Sequence, residues 1–155
     1  MDEVRSRARA EAPPAVLWLI ALTALVPFPA SALMYAYGPA IHQPGSLTML
    51  MTWSALLLAF IGGVRWGLET REPKPRWYRM AFSALCAGAA WGLLLWRGQV
   101  SDGLILFLFI AMFLIQWLFD HPNPDAPSRY PTLSTVLAAA AGVSLALAFE
   151  KAING

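Results

Sequence analysis

Charged residues are scarce in this 155-residue chain. Asp, Glu, Lys and Arg make up 13% of it, whereas hydrophobic residues make up 58%. A soluble domain usually carries about a quarter charged residues, so this composition is typical of a chain surrounded mostly by lipid. The few charges are also clustered, because none occurs in four runs: Ala12 to Val64, Met80 to Trp96, Gly103 to Phe119 and Tyr130 to Phe149.

Cysteine, histidine and catalytic motifs are also sparse. The single cysteine, Cys86, excludes an intramolecular disulfide. No HExxH, paired-cysteine, P-loop or GxGxxG pattern occurs, and no Ser-His-Asp set stands out. His42 and His121 are predicted on opposite faces of the membrane, where they cannot share a metal ion. We therefore expect no enzymatic activity, no metal, no cofactor and no nucleic-acid partner.

The uncharged runs predict membrane-spanning helices, because roughly 17–25 helical residues cross the hydrocarbon. The first run is too long for one span and contains GPAIHQPG, Gly38 to Gly45, a strong turn signal. Strands are not expected, since the runs do not alternate polar and apolar residues. The sequence thus predicts one all-α domain, a polytopic membrane bundle of five helices over about 14–37, 47–68, 80–97, 103–119 and 132–149.

Basic residues predict the orientation of this bundle, because Lys and Arg collect in short cytoplasmic loops. Eight of them fall on the side of the N-terminus and two on the other, with Arg65 left out of the count. The eight are Arg5, Arg7, Arg9, Arg71, Lys74, Arg76, Arg79 and Arg129; the two are Arg97 and Lys151. We expect a cytoplasmic N-terminus and an outside C-terminus.

A signal peptide is an alternative reading of the first span. Residues 15–26 would be its apolar core and ASA, Ala30 to Ala32, its cleavage site. The acidic residues in the arm, Asp2, Glu3 and Glu11, are unusual before such a core, and the apolar run continues past the site. Whether the first helix is retained or cleaved stays open at this point.

Arg65 lies inside the second span, about one turn before its cytoplasmic end. Its long side chain could reach the headgroups, with Trp66 marking the same depth, so a snorkelling anchor is one interpretation. The other is an ion pair within the bundle. Asp120, at the end of the fourth span, is the preferred partner, and Glu69, four residues on, would assist.

Small residues recur every four positions on three of the helices. Such rows let helix backbones approach closely in lipid, so we expect helix packing at Gly63 and Gly67, at Gly88 and Gly92, and at Gly142. Two prolines, Pro27 and Pro29, lie within the first span and predict a kink or break there.

Several of these motifs resemble a family of small bacterial integral membrane proteins of unknown function. This is the domain of unknown function 3429 family, related to mitochondrial transmembrane protein 69. The resemblance rests on Pro27-Phe28, on AFIGGVRWG, on Asp120 and on SRYPTL. The family pattern of the second helix is matched here by Phe60, Gly62, Gly63, Arg65, Trp66 and Gly67. The chain departs from the family at the fifth helix, where Ser134 replaces an arginine.

The resemblance implies a helical bundle in the bacterial inner membrane and no reaction. Two functions remain. The first is a non-enzymatic accessory or assembly partner of a larger membrane complex, or a homo-oligomer, supported by the short loops and the small-residue faces. The alternative is a small transporter or a lipid- or quinone-binding bundle, supported by Arg65, Asp120 and the proline-broken helix.

Overall fold

The protein is a bundle of α-helices. The computed structural model describes residues 19, 22–70, 74–120 and 130–154, and the side chains at 120 and 130–134 are not among what it describes. Within these residues the helices are α1 (Pro27–Tyr37), α2 (Gln43–Glu69), α3 (Trp77–Leu95), α4 (Asp102–Asp120) and α5 (Tyr130–Asn154), with a short 3-10 helix (Ala40–His42) before α2. The predicted all-α bundle is confirmed.

Four of the described helices are long and apolar enough to cross a membrane: Ala40–Glu69, Trp77–Leu95, Asp102–Phe119 and Thr135–Asn154. The described part of the first apolar helix, Leu22–Tyr37, is shorter. At about 1.5 Å per residue it covers roughly 24 Å, less than the hydrocarbon core of about 30 Å. Most of residues 14–21, which the sequence assigns to the same span, lie outside the described residues.

The helices extend beyond the predicted spans at their polar ends. α2 begins at Gln43 and not at 47, because Pro44 lies in its first turn, where a missing N–H is tolerated. α3 begins at Trp77, and α5 continues through Lys151 to Asn154. Loss of hydropathy ends a predicted span, but it does not end the backbone hydrogen bonding of a helix.

The core runs through all five helices, with α2 at its centre. α2 packs most extensively on α3 and α4 packs on α5, while α1 lies against both α2 and α5. The largest fully buried apolar side chains are Phe28, Phe109, Leu50, Met51, Leu58, Ile105, Leu106 and Leu145. The rings of Phe28 and Phe113 meet edge to face, with centroids 6.3 Å apart, and this contact joins α1 to α4.

The first apolar helix is interrupted at Val26, directly before Pro27. Because Pro27 has no N–H, the helical pattern changes there, and the Val26 N–H donates to the Thr23 carbonyl at 3.3 Å. The indole N–H of Trp53, on α2, donates to the carbonyl oxygen of Ala24 at 2.8 Å. A side chain of α2 therefore supplies a donor to the backbone just before the interruption.

The segment that would hold a signal-peptidase site is part of the packed bundle. Ser31 and Ala32 lie in α1, and both are buried. Ser31 donates its hydroxyl hydrogen to the Pro27 carbonyl one turn earlier. In this structure α1 is thus a core element of the fold.

The predicted glycine interface requires a correction. A Cβ atom built at Gly63, Gly67, Gly88, Gly92 or Gly142 would meet nothing within 4 Å outside the residue's own neighbourhood. Gly63, Gly67 and Gly88 are exposed on the bundle surface. Among the residues that the structure describes, these glycines are therefore not points of close approach between helices.

The close approach of α2 and α3 occurs one residue earlier, at Gly62. A Cβ atom at Gly62 would lie 3.1 Å from the carbonyl oxygen of Ser83 on α3. Ala55 and Leu58, at helical spacing before Gly62, and Cys86 and Ala90, at helical spacing after Ser83, are all buried. Gly62 and Gly63 are adjacent, so they face directions about 100° apart around α2. The four-residue spacing of small residues indicated Gly63, which is exposed.

Polar contacts join the helices at the end of the bundle that carries Arg97, hereafter the opposite end. Arg97 donates from Nη1 to Thr48 Oγ1 on α2 at 2.6 Å, and its Nε lies 3.8 Å from Asp102 Oδ1 on α4. Gly98 turns the chain between α3 and α4 with φ +88°, a backbone conformation that glycine adopts readily. The other end, formed by the end of α2, the start of α3 and the end of α4, is the basic end.

Candidate functional site

Arg65 lies in the interior of the basic end. It belongs to the buried face of α2 and is only 4% exposed. Its guanidinium carbon is 4.8 Å from the ring centroid of Phe119 on α4 and 5.8 Å from that of Phe82 on α3. The two rings stack on each other with centroids 4.2 Å apart and planes inclined by 17°. Arg65, Phe82 and Phe119 form what we call the arginine–phenylalanine cluster, which joins three helices.

The cluster offsets part of the cost of placing a cation among apolar helices. An arginine at mid-bilayer costs about 2.5–3.5 kcal/mol on insertion scales. A guanidinium over an aromatic face recovers about 0.5–1 kcal/mol when exposed and about 2 kcal/mol when desolvated. A snorkelling side chain would be exposed at the bundle surface, whereas Arg65 is buried against rings. Arg65 is therefore an interior residue of the bundle.

The predicted pairing of Arg65 with Asp120 stays a prediction. Asp120 ends α4, directly after Phe119, whose ring lies beside the guanidinium. The backbone thus brings the two residues to the same end of the bundle. The Asp120 side chain lies outside the described part of the structure, so the experiment proposed below decides the pairing.

Glu69, predicted to assist at Arg65, makes its described contacts elsewhere. Its Oε1 accepts the backbone N–H of Arg76 at 2.8 Å, and its Oε2 lies 3.5 Å from Nη1 of Arg79. Glu69 is 6% exposed, so this is a largely desolvated carboxylate. It links the end of α2 to residues at the start of α3.

Gln116 is a buried amide that the sequence analysis did not single out. It lies one turn before Asp120 on α4 and is 3% exposed. Its Oε1 has no hydrogen-bond partner within the part of the chain that the structure describes. A lone amide in a run of apolar residues was a visible signal, because burying an unsatisfied amide costs roughly 1–3 kcal/mol. Phe82 and Phe119 carried no such signal, since phenylalanine is common throughout these helices.

The end of α4 is also connected to α5. The indole N–H of Trp117 donates to Thr135 Oγ1 at 3.1 Å, which fixes the two helices next to Gln116. Among residues 19, 22–70, 74–120 and 130–154, no group of three His, Cys, Asp or Glu side chains could hold a metal ion. His42 is exposed, and His121 lies outside these ranges. Among the side chains that the structure describes, the site thus contains a buried guanidinium, a buried amide and two aromatic rings.

Comparison with known proteins places the chain in a family. The family described as protein of unknown function (DUF3429) matches residues 13–150, which include every helix that forms the site. The chain belongs to this family. It is also 32% identical over 146 residues to transmembrane protein 69 of Xenopus tropicalis. The alignment covers 90% of this chain and 55% of that relative, so the chain spans about half the length of the curated relative it matches. No solved structure matches the chain.

Membership of this family agrees with the long apolar helices of the structure, and together they identify a membrane protein. The matched range contains the four long apolar helices almost completely and the whole of α1. The family has no assigned function, and the name of the relative states only that it is a transmembrane protein. The activity of this family member must therefore be argued from its own surface and interior.

Proposed function

We propose that the protein is a non-enzymatic accessory or assembly partner of a larger membrane complex, located in a bacterial inner membrane. The supporting observation is the exposure of small residues on the surfaces of α2 and α3. Gly63 and Gly67 on α2 and Ala84 and Gly88 on α3 are all exposed, and none of the described helices approaches these glycines closely.

The argument depends on what drives association in lipid. Apolar side chains gain little by leaving lipid for a protein surface, so helices associate through close van der Waals packing and interhelical hydrogen bonds. Rows of small residues permit the required backbone approach. Between α2 and α3 this approach occurs at Gly62, and no described residue fills the space beside Gly63 and Gly88, which would suit another membrane-spanning helix.

The test is purification from gentle detergent with a tag on this protein, followed by quantitative mass spectrometry. We expect a membrane protein in stoichiometric amount with the parent and a marked loss with Gly63→Leu combined with Gly67→Leu. Val143→Phe is a matched control, because Val143 is 73% exposed on α5, away from these rows. A parent that is monomeric and alone under every gentle condition would overturn the proposal. Self-association alone would replace the larger complex with a homo-oligomer.

The alternative function, a small transporter or a lipid- or quinone-binding bundle, is supported by Gln116. Its buried Oε1, at the basic end with Arg65, is the kind of group that a bound hydroxyl or amide would satisfy. Extraction of the purified protein and mass spectrometry of the extract test this alternative. A lipid or quinone in stoichiometric amount, lost in Gln116→Leu, would favour it over the accessory role. An extract without such a molecule would count against it.

A further inference from the structure

A group of exposed cationic and aromatic side chains surrounds the start of α3 at the basic end. Its described members are Lys74, Arg76, Trp77 and Tyr78, which we call the α3 patch. All four are exposed, and Trp77 is 78% exposed. Most of the indole surface, at the first residue of an apolar helix, is therefore open to the surroundings of the bundle.

The α3 patch keeps a net positive charge. From Glu69 to Arg79 the sequence has four basic residues against two acidic ones. The described contacts of Glu69 use the side chain of Arg79 and only the backbone N–H of Arg76. The described ion pair of Glu69 thus involves one of the four basic residues of this stretch, Arg79, and basic residues still outnumber acidic ones here.

The aromatic residues set the depth of these charges. Trp and Tyr favour the headgroup level of a bilayer, and here they are the first two residues of a helix able to span it. Their rings meet edge to face, with centroids 6.5 Å apart. Arg76 directly precedes Trp77 in the sequence, and Arg79 directly follows Tyr78. The cations are thus held at the depth at which lipid phosphates lie.

We propose that the α3 patch binds the headgroup of an anionic phospholipid, with Lys74 and Arg76 contacting the phosphate and Trp77 lying against the adjoining glycerol and acyl methylenes. A free phosphate could use the two cations, but it could not use the exposed indole beside them. A zwitterionic lipid could use the indole, but its own ammonium group would oppose the cations. This inference is independent of the proposed accessory function, because it concerns a different surface and a different class of ligand.

Native mass spectrometry of the full chain in neutral detergent tests the proposal, with phosphatidylglycerol and phosphatidylcholine titrated separately. We expect tighter binding of phosphatidylglycerol to the parent. Lys74→Gln and Arg76→Gln should each weaken it about fivefold, as expected if each basic residue near an anionic surface contributes about 1 kcal/mol. Trp77→Ala should weaken the binding of both lipids.

Lys151→Gln is the matched control, because it removes the same charge at the opposite end of the bundle. Equal phosphatidylglycerol affinity in the parent and in Lys74→Gln with Arg76→Gln would overturn the proposal, as would an equal loss in Lys151→Gln. Inorganic phosphate that displaces phosphatidylglycerol at comparable concentration would also overturn it, in favour of a free-anion site. If the glutamine variants fail to fold, the parent still provides a test. Raising the salt from low to about 0.5 M should weaken its phosphatidylglycerol binding, and unchanged binding would contradict the proposal.

Discussion

The guanidinium carbon of Arg65 lies 4.8 Å from the ring centroid of Phe119, so the cation of α2 rests against an aromatic ring of α4. The ring of Phe119 stacks in turn on Phe82 of α3. α2 and α4 otherwise make few contacts, whereas α2–α3 and α4–α5 form extensive interfaces. The arginine–phenylalanine cluster is thus a bridge between the two helix pairs at the basic end.

This bridge predicts measurable coupling between Arg65 and Phe119. In a double-mutant cycle with Arg65→Gln, Phe119→Leu and both changes together, the free energy of unfolding in detergent should show coupling of about 1–2 kcal/mol. Leu118→Ala is the control for Phe119, because Leu118 is 61% exposed on the same helix. It should show no coupling with Arg65. Additive losses for Arg65 and Phe119 would mean that the cation–π contact contributes nothing to stability.

A second cycle tests the ion pair that the sequence predicts. Arg65→Gln, Asp120→Asn and the double variant should give coupling well above about 0.5 kcal/mol if the two charges pair in a desolvated setting. A pair in headgroup water would give about 0–1 kcal/mol, and its coupling would fall as salt is added. Salt-independent coupling indicates a buried pair. Strict additivity would leave the phenylalanine rings as the principal support for Arg65 at this end.

The fold was predictable from the sequence because the positions of charged and uncharged residues along the chain indicate the membrane-spanning helices. Uncharged runs separated by charged or proline-rich segments specify spanning helices whatever their partners, and Gly38 to Gly45 marked the first turn. The contacts inside the candidate site were harder to predict from the sequence. An arginine within an apolar run attracts attention, but its aromatic neighbours cannot be distinguished from the many phenylalanines that face lipid.

The register of the helices was not predictable for a related reason. A small-residue row indicates that close approach is possible, but not which row is used. Gly63 belongs to such a row, whereas Gly62 has Leu58 and Trp66 at the same spacing, yet it is Gly62 that lies against Ser83 of α3. The spacing of residues on one helix does not predict where the backbone of a second helix lies.

This register predicts opposite outcomes for adjacent glycines. Gly62→Leu should lower the folded yield in detergent, because a side chain there would push against the Ser83 carbonyl oxygen, 3.1 Å from the Cβ position. Gly63→Leu should behave like the parent in the isolated protein, since its Cβ position is open. Size-exclusion profiles and thermal unfolding measure both. Equal behaviour of the two variants would contradict the α2–α3 interface described above.

The distribution of basic residues predicts the orientation in the membrane. Reporter fusions after Pro44 and at Gly155 should report the outside, and fusions after Pro75 and Asp125 should report the cytoplasm, because most Lys and Arg residues lie on the side of the N-terminus. The fusion at Gly155 is the most informative. A cytoplasmic signal there would require an even number of spans and would remove the five-helix topology.

The hydrogen bond from Trp53 to the Ala24 carbonyl predicts a specific cost at the interruption of the first helix. Trp53→Phe keeps most of the aromatic packing but removes the indole N–H that donates to Ala24 at 2.8 Å. A partly buried carbonyl left without this donor should reduce the free energy of unfolding by about 1–3 kcal/mol. Trp91→Phe is the matched control, because Trp91 is 65% exposed on α3 and should change stability by less than about 0.5 kcal/mol. If both substitutions have the same effect, the contribution of Trp53 is packing alone, and the backbone near Pro27 does not depend on α2 for a donor.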